Sequence, residues 1–183
     1  MKKFGVKSVV ATAILAALVF VLLRFVSIPT PFPDTTLSIY ASVIAFFAVL
    51  FGPVVGFLGG FLGNLLVDLT AGWGVWWTWV VTTGVFGLLV GLGCKKIDLE
   101  QGMFGKKELI RFLIVSVVSC LICWGIVAPV GDILVYQEPA NLVFIQGLFI
   151  GLSAIIATVV VGTILCKAYA ASKAKKGSLS KED

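Results

Sequence analysis

The sequence predicts an all-α integral membrane protein, a compact bundle of six transmembrane helices. Three observations predict it. The 183 residues are 60% hydrophobic and only 13% charged, with a mean hydropathy of +1.11. A soluble domain of that size could not hide so much apolar surface. The apolar residues fall into runs of roughly membrane-crossing length, divided by short polar breaks. Finally, 13 of the 14 Lys and Arg residues sit in three clusters. Lys2, Lys3 and Lys7 open the chain, Lys95, Lys96, Lys106, Lys107 and Arg111 flank one central loop, and Lys167, Lys173, Lys175, Lys176 and Lys181 close it. Basic residues collect in cytoplasmic loops, so both termini and the central loop are placed on the cytoplasmic side of the bacterial cell membrane. The net charge of +5 flanks the spans and suits anionic lipid headgroups, not nucleic acid.

The elements follow in order. Span 1 covers about residues 8–26; it is too long for a cleaved signal peptide, and no small-x-small cleavage site follows it. Prolines 29, 31 and 33 make the stretch 28–34 an extended outer loop. Residues 35–67 carry no charge. That run is too long for one span and short for two, and Gly52-Pro53 divides it, Pro being favoured in a first helical turn. Spans 2 and 3 are then about 37–51 and 53–69, followed by span 4 at 76–94, span 5 at 109–128 and span 6 at 142–167. The outer loops are 28–34, 70–75 and Pro129–Asn141. All six spans form one membrane domain.

Few residues could carry chemistry. The chain has no His, which removes His triads, proton relays and His metal ligands. Cys94, Cys120, Cys123 and Cys166 read as small apolar filler, with no metal and no cofactor expected. No P-loop, HExxH or GxSxG motif occurs, so the chain is expected to be no enzyme. Span 3 carries Gly52, Gly56, Gly60, Asn64 and Asp68 at steps of four. The glycines let a neighbouring helix approach closely. Asn64 and Asp68 stand about 16 and 22 Å along the helix, where polar residues usually face a cavity; Asp68 could instead cap the helix end. Trp73, Trp76, Trp77 and Trp79 follow. They form either an interfacial belt or, in part, an inward wall, since adjacent helical positions differ by about 100°. The polar third outer loop ends at Asn141, and Gln146 lies one turn into span 6. Arg24 snorkels outward, pairs with Asp34 or Asp68, or holds an anionic group. A binding site is therefore placed among Asn64, Asp68, Trp76, Trp77, Trp79, Asn141 and Gln146.

Six short spans, a Pro-containing first outer loop, a GPxxGxxxG-type opening of span 3 and a Trp/Gly-rich span 4 resemble the substrate-binding S component of energy-coupling factor vitamin transporters. Ala13-x-x-x-Ala17 in span 1 resembles the AxxxA that such components present to their scaffold. Within that family the sequence is most similar to components assigned to the thiamine precursor hydroxymethylpyrimidine; pyridoxine and riboflavin components are near neighbours. The resemblance implies a vitamin pocket open to the outside and capped by the first outer loop. It also implies docking, through Ala13 and Ala17, on a transmembrane scaffold (T) subunit driven by two cytoplasmic ATPase (A) subunits, and toppling of the whole component in the membrane. The competing expectations are a membrane assembly subunit that binds no ligand, an intramembrane enzyme and a channel.

Overall fold

Apolar helices in a bilayer gain no hydrophobic drive toward one another, so close packing decides how they assemble. The computed structural model describes residues 5–30 and 36–179, with side chains through Lys173. Lys2, Lys3, Asp34 and Lys181, and the side chains of Lys175 and Lys176, lie outside the described residues. Helix α1 (Val6–Phe25) leads into a ribbon of two residues a side, β1 (Ile28–Pro29) against β2 (Thr36–Leu37), antiparallel with Ile28 opposite Leu37. Helices α2 (Tyr40–Phe51) and α3 (Pro53–Ala71) are separated by Gly52 alone, at φ 104°. Helix α4 (Trp77–Gly93) is followed by a 3-10 turn at Leu99–Gln101 and by α5 (Lys106–Ile122). A π turn, Cys123–Val127, joins α5 to α6 (Ala128–Tyr136). Another, Thr158–Gly162, joins α7 (Ala140–Ala157) to α8 (Thr163–Leu179).

Four of the resulting rods are long and apolar enough to cross a membrane: Val6–Phe25, Pro53–Ala71, Lys106–Tyr136 and Ala140–Lys173. Helices α2 and α4 are apolar but shorter, at 12 and 17 residues.

Glycine sets the contact between α3 and α4. A Cβ on Gly56 would lie 2.7 Å from the Gly87 carbonyl oxygen, and one on Gly91 would lie 2.5 Å from Pro53 Cα. The other side of α3 meets α1, where a Cβ on Gly63 would lie 2.5 Å from Val19 Cβ. The small residues of span 3 thus weld three helices into one layer. Behind it, Trp124 is fully buried, edge-on to Tyr40 at 6.2 Å and tilted against Phe86 at 4.9 Å. All four cysteines are buried free thiols in this core.

Two expectations need correction. Span 5 does not stop at residue 128, and Pro129–Asn141 is not a loop: helix continues through Tyr136, and only residues 137–139 turn. A Pro inside a helix clashes with the carbonyl four residues back. Here Pro129 sits at the second residue of α6, directly after the wider π turn, which absorbs the misfit. Gln137, at φ 59°, ends the helix. Span 2 also begins later than residue 37: the described flanks of the first outer loop are extended and pair as β1 and β2, and α2 begins only at Tyr40. At the other end of the bundle, Lys7 and Glu100 form an ion pair at 2.5 Å. It ties the start of α1 to the connection between α4 and α5.

Candidate functional site

At the Trp-rich end of α4 the bundle opens into a cavity of about 670 Å³. The ends of α1 and α3, the β1–β2 ribbon, the first residue of α2, Trp73, Trp76 and Trp79, and the facing parts of α6 and α7 wall it.

The segment between α3 and α4 could not hold this shape unaided. Gly72 and Gly74 both take φ of 88°, a left-handed conformation that side chains other than Gly resist. Asp68 fastens the segment from below. Its carboxylate accepts the Trp73 indole N–H at 3.3 Å and the Trp76 backbone N–H at 2.9 Å. One turn deeper, Asn64 donates to the Trp79 carbonyl at 3.3 Å and to the Thr83 hydroxyl oxygen at 2.7 Å. Opposite, Asp132 on α6 accepts the Thr78 hydroxyl, and the Trp79 indole N–H at 2.6 Å. Tyr136 packs on Trp76 with ring centroids 4.7 Å apart, and its hydroxyl accepts the Trp77 N–H at 2.9 Å.

The electrostatic logic is local. Asp68 and Asp132 are 7% and 1% exposed. A carboxylate that far from water is costly unless donors surround it. Two indole N–H groups, one backbone N–H and one hydroxyl meet that need. A carboxylate has room for about four hydrogen bonds, so each retains acceptor capacity beyond its two protein donors. Glu138 and Arg24 also line the cavity. Arg24 pairs with no described carboxylate.

Of the residues singled out from the sequence, Asn64, Asp68, Trp76, Trp79 and Gln146 all line this cavity. Trp77 and Asn141 do not. Trp77 is half exposed; it is the first residue of α4, and its backbone N–H donates to the Tyr136 hydroxyl. Asn141 falls in the exposed first turn of α7, which begins two residues before the expected span. The Trp cluster is thus partly a wall and partly an outer belt. Ala13 and Ala17 lie together on the exposed face of α1, beside Val9, Val10 and Ile14. Sequence reasoning left Trp73, Tyr40 and Asp132 out of the site. The polarity of Asp132 was visible, but placing it in a loop hid its aim. Among the described residues no three His, Cys, Asp or Glu side chains cluster as a metal site would require.

A family model described as the S component of an ECF-type riboflavin transporter matches residues 3–171. A UPF0397 protein of Lactobacillus helveticus is 50% identical over all of both chains. Another, from Lactococcus lactis subsp. cremoris, is 49% identical, again over the full length of each. Among solved structures, one reported as the S component of a bacterial ECF transporter superposes with a TM-score of 0.54 over 96% of this chain and 98% of that one. At 20% identity that likeness speaks to the fold.

Proposed function

The chain belongs to the ECF-type riboflavin transporter S component family, and from that premise we propose that it captures a small, flat heteroaromatic vitamin or vitamin precursor, hydroxymethylpyrimidine first. The family is one of membrane transport components, not enzymes, and S components act with T and A subunits. The observation that carries the ligand class is the cavity wall. It combines indole rings of Trp73, Trp76 and Trp79 with the polar groups of Asn64, Asp68, Asp132 and Gln146. Flat rings stack on indoles, and a few placed polar groups fix orientation in an otherwise apolar pocket.

In this reading the ring lies against Trp76 or Trp79 and its amino or hydroxymethyl group donates to the spare acceptor positions of Asp68 or Asp132. In the same reading all six rods cross the bacterial cell membrane, with both termini and the central loop cytoplasmic, an orientation that the 13 clustered basic residues support. The cavity then opens outward. Two partner ATPases supply the energy, and Ala13 and Ala17 seat a scaffold helix. Ala17→Trp accordingly loses uptake while ligand binding to the isolated protein survives; loss of both would reject the docking role.

Riboflavin is the second reading. The family's description favours it, and so does the volume, since about 670 Å³ exceeds the needs of one pyrimidine ring. Calorimetry on the purified protein with hydroxymethylpyrimidine, riboflavin and pyridoxine decides. Submicromolar binding of hydroxymethylpyrimidine with weak or absent riboflavin binding is expected. The reverse ranking transfers the assignment to riboflavin, and no binding of any of the three revives the assembly-subunit alternative.

A further inference from the structure

At the end of α4 away from the vitamin cavity lies a second, smaller one of about 190 Å³, walled by Lys96, Ile97, Lys107, Glu108 and Arg111. Three cations converge there from the α4–α5 connection and the first turns of α5. Glu108 supplies one negative charge against three positive ones, and its carboxylate caps α5 by accepting the Gly105 N–H at 2.9 Å. No described carboxylate forms an ion pair with any of the three.

An apolar stripe leaves this cleft along α5. At 3.6 residues per turn, Lys107, Ile110, Ile114, Val118 and Leu121 fall within about 80° of one another. The four apolar members are all exposed, Ile114 to 59%. The stripe rises about 21 Å from Lys107 to Leu121, and one leaflet contributes about 15 Å of hydrocarbon. A cationic cleft that opens onto an exposed apolar stripe matches a ligand of two parts, a phosphate and a long hydrocarbon chain.

We propose that Lys96, Lys107 and Arg111 hold the phosphate of an anionic phospholipid in the adjoining leaflet, with an acyl chain lying along Ile110, Ile114 and Val118. The Arg111 guanidinium supplies the planar fork that pairs with phosphate oxygens, and the two lysines supply point charge. Basic clefts at the ends of membrane helices select headgroups in this way. An acidic protein partner would match the cations but would leave the stripe, which continues into membrane depth, without a counterpart. The assignment does not depend on which vitamin the protein binds.

The test is native mass spectrometry of the full-length protein, released from detergent with phosphatidylglycerol and phosphatidylcholine at equal concentration. Preferential retention of phosphatidylglycerol, by about tenfold, is expected. The double variant Lys96→Gln/Lys107→Gln should lose most of that preference. Lys95→Gln/Lys106→Gln removes the same charge just outside the cleft wall and should keep it. All four lysines are exposed, so neither variant threatens the fold. Equal retention of the two lipids, or equal loss in the two variants, would overturn the site. Glycerol 1-phosphate carries the headgroup chemistry without chains and should not displace the lipid; displacement at equimolar concentration would reassign the cleft to soluble phosphates and refute the lipid.

Discussion

Helices α3 and α4 run side by side through two unlike regions. In the lower one, Gly56 and Gly87 press backbone on backbone, with no room for a side chain. In the upper one, Asn64 and Asp68 on α3 reach across to Trp79, Thr83, Trp73 and Trp76, and the space beside them stays open. A helix pair can be welded by absent side chains at one end and fastened by polar ones at the other. The weld fixes the geometry that the site needs. The fastening leaves carboxylate acceptors at a cavity wall where a bilayer would otherwise exclude them.

The largest effect should come from breaking the weld. Gly87→Leu drives a branched side chain into the Gly56 backbone, an overpacking that costs about 1–3 kcal/mol or more. Thermal unfolding in detergent should show a large loss of stability, or the folded protein should not be recovered. Gly125→Ala is the control, because a Cβ there meets nothing within 4 Å. A Gly87→Leu protein as stable as the parent would break the comparison.

The fastening should respond next, and in affinity more than in stability. A hydrogen bond to a charged group contributes about 1.5–3 kcal/mol. Asp132→Ala removes the partner of both Thr78 and the Trp79 indole, and should weaken binding of the proposed ligand by about a hundredfold. Asp68→Ala frees the 72–76 segment and should cost about tenfold to a hundredfold. Calorimetry on folded variants measures both. Unchanged affinity in both would move the site elsewhere.

The smallest effect separates wall from belt. Trp77→Ala removes an exposed indole and should change affinity less than about twofold. Trp79→Ala removes a cavity wall and the donor to Asp132, and should cost about tenfold or more. Equal effects in fluorescence-detected binding would erase the distinction between the two tryptophans.

Much of this was legible in residue order, and the reasons are specific. Glycines at steps of four announce a helix contact, because only Gly lets backbones approach so closely. Asn64 and Asp68 stood out as isolated polar groups in an apolar run, and helical periodicity required only that at least one of Trp76, Trp77 and Trp79 face inward, without saying which. Asp132 was not legible as a wall residue. Its placement depends on the π turn Cys123–Val127, which carries α5 past Pro129 into α6. A π turn is a backbone register change with no residue signature, whereas Pro129 and Gly131 read as ordinary turn signals. Tyr40 was missed for a related reason: it begins α2 only because residues 36–37 are taken up by the ribbon with β1.

The central claim is that the open upper region of α3 and α4 receives a flat heteroaromatic ring. The most direct test is a crystal structure of the protein grown with hydroxymethylpyrimidine. A ring in stacking contact with Trp76 or Trp79, with at least one hydrogen bond to Asn64, Asp68 or Asp132, is the expected result. A ring bound outside the cavity walled by these residues would contradict it.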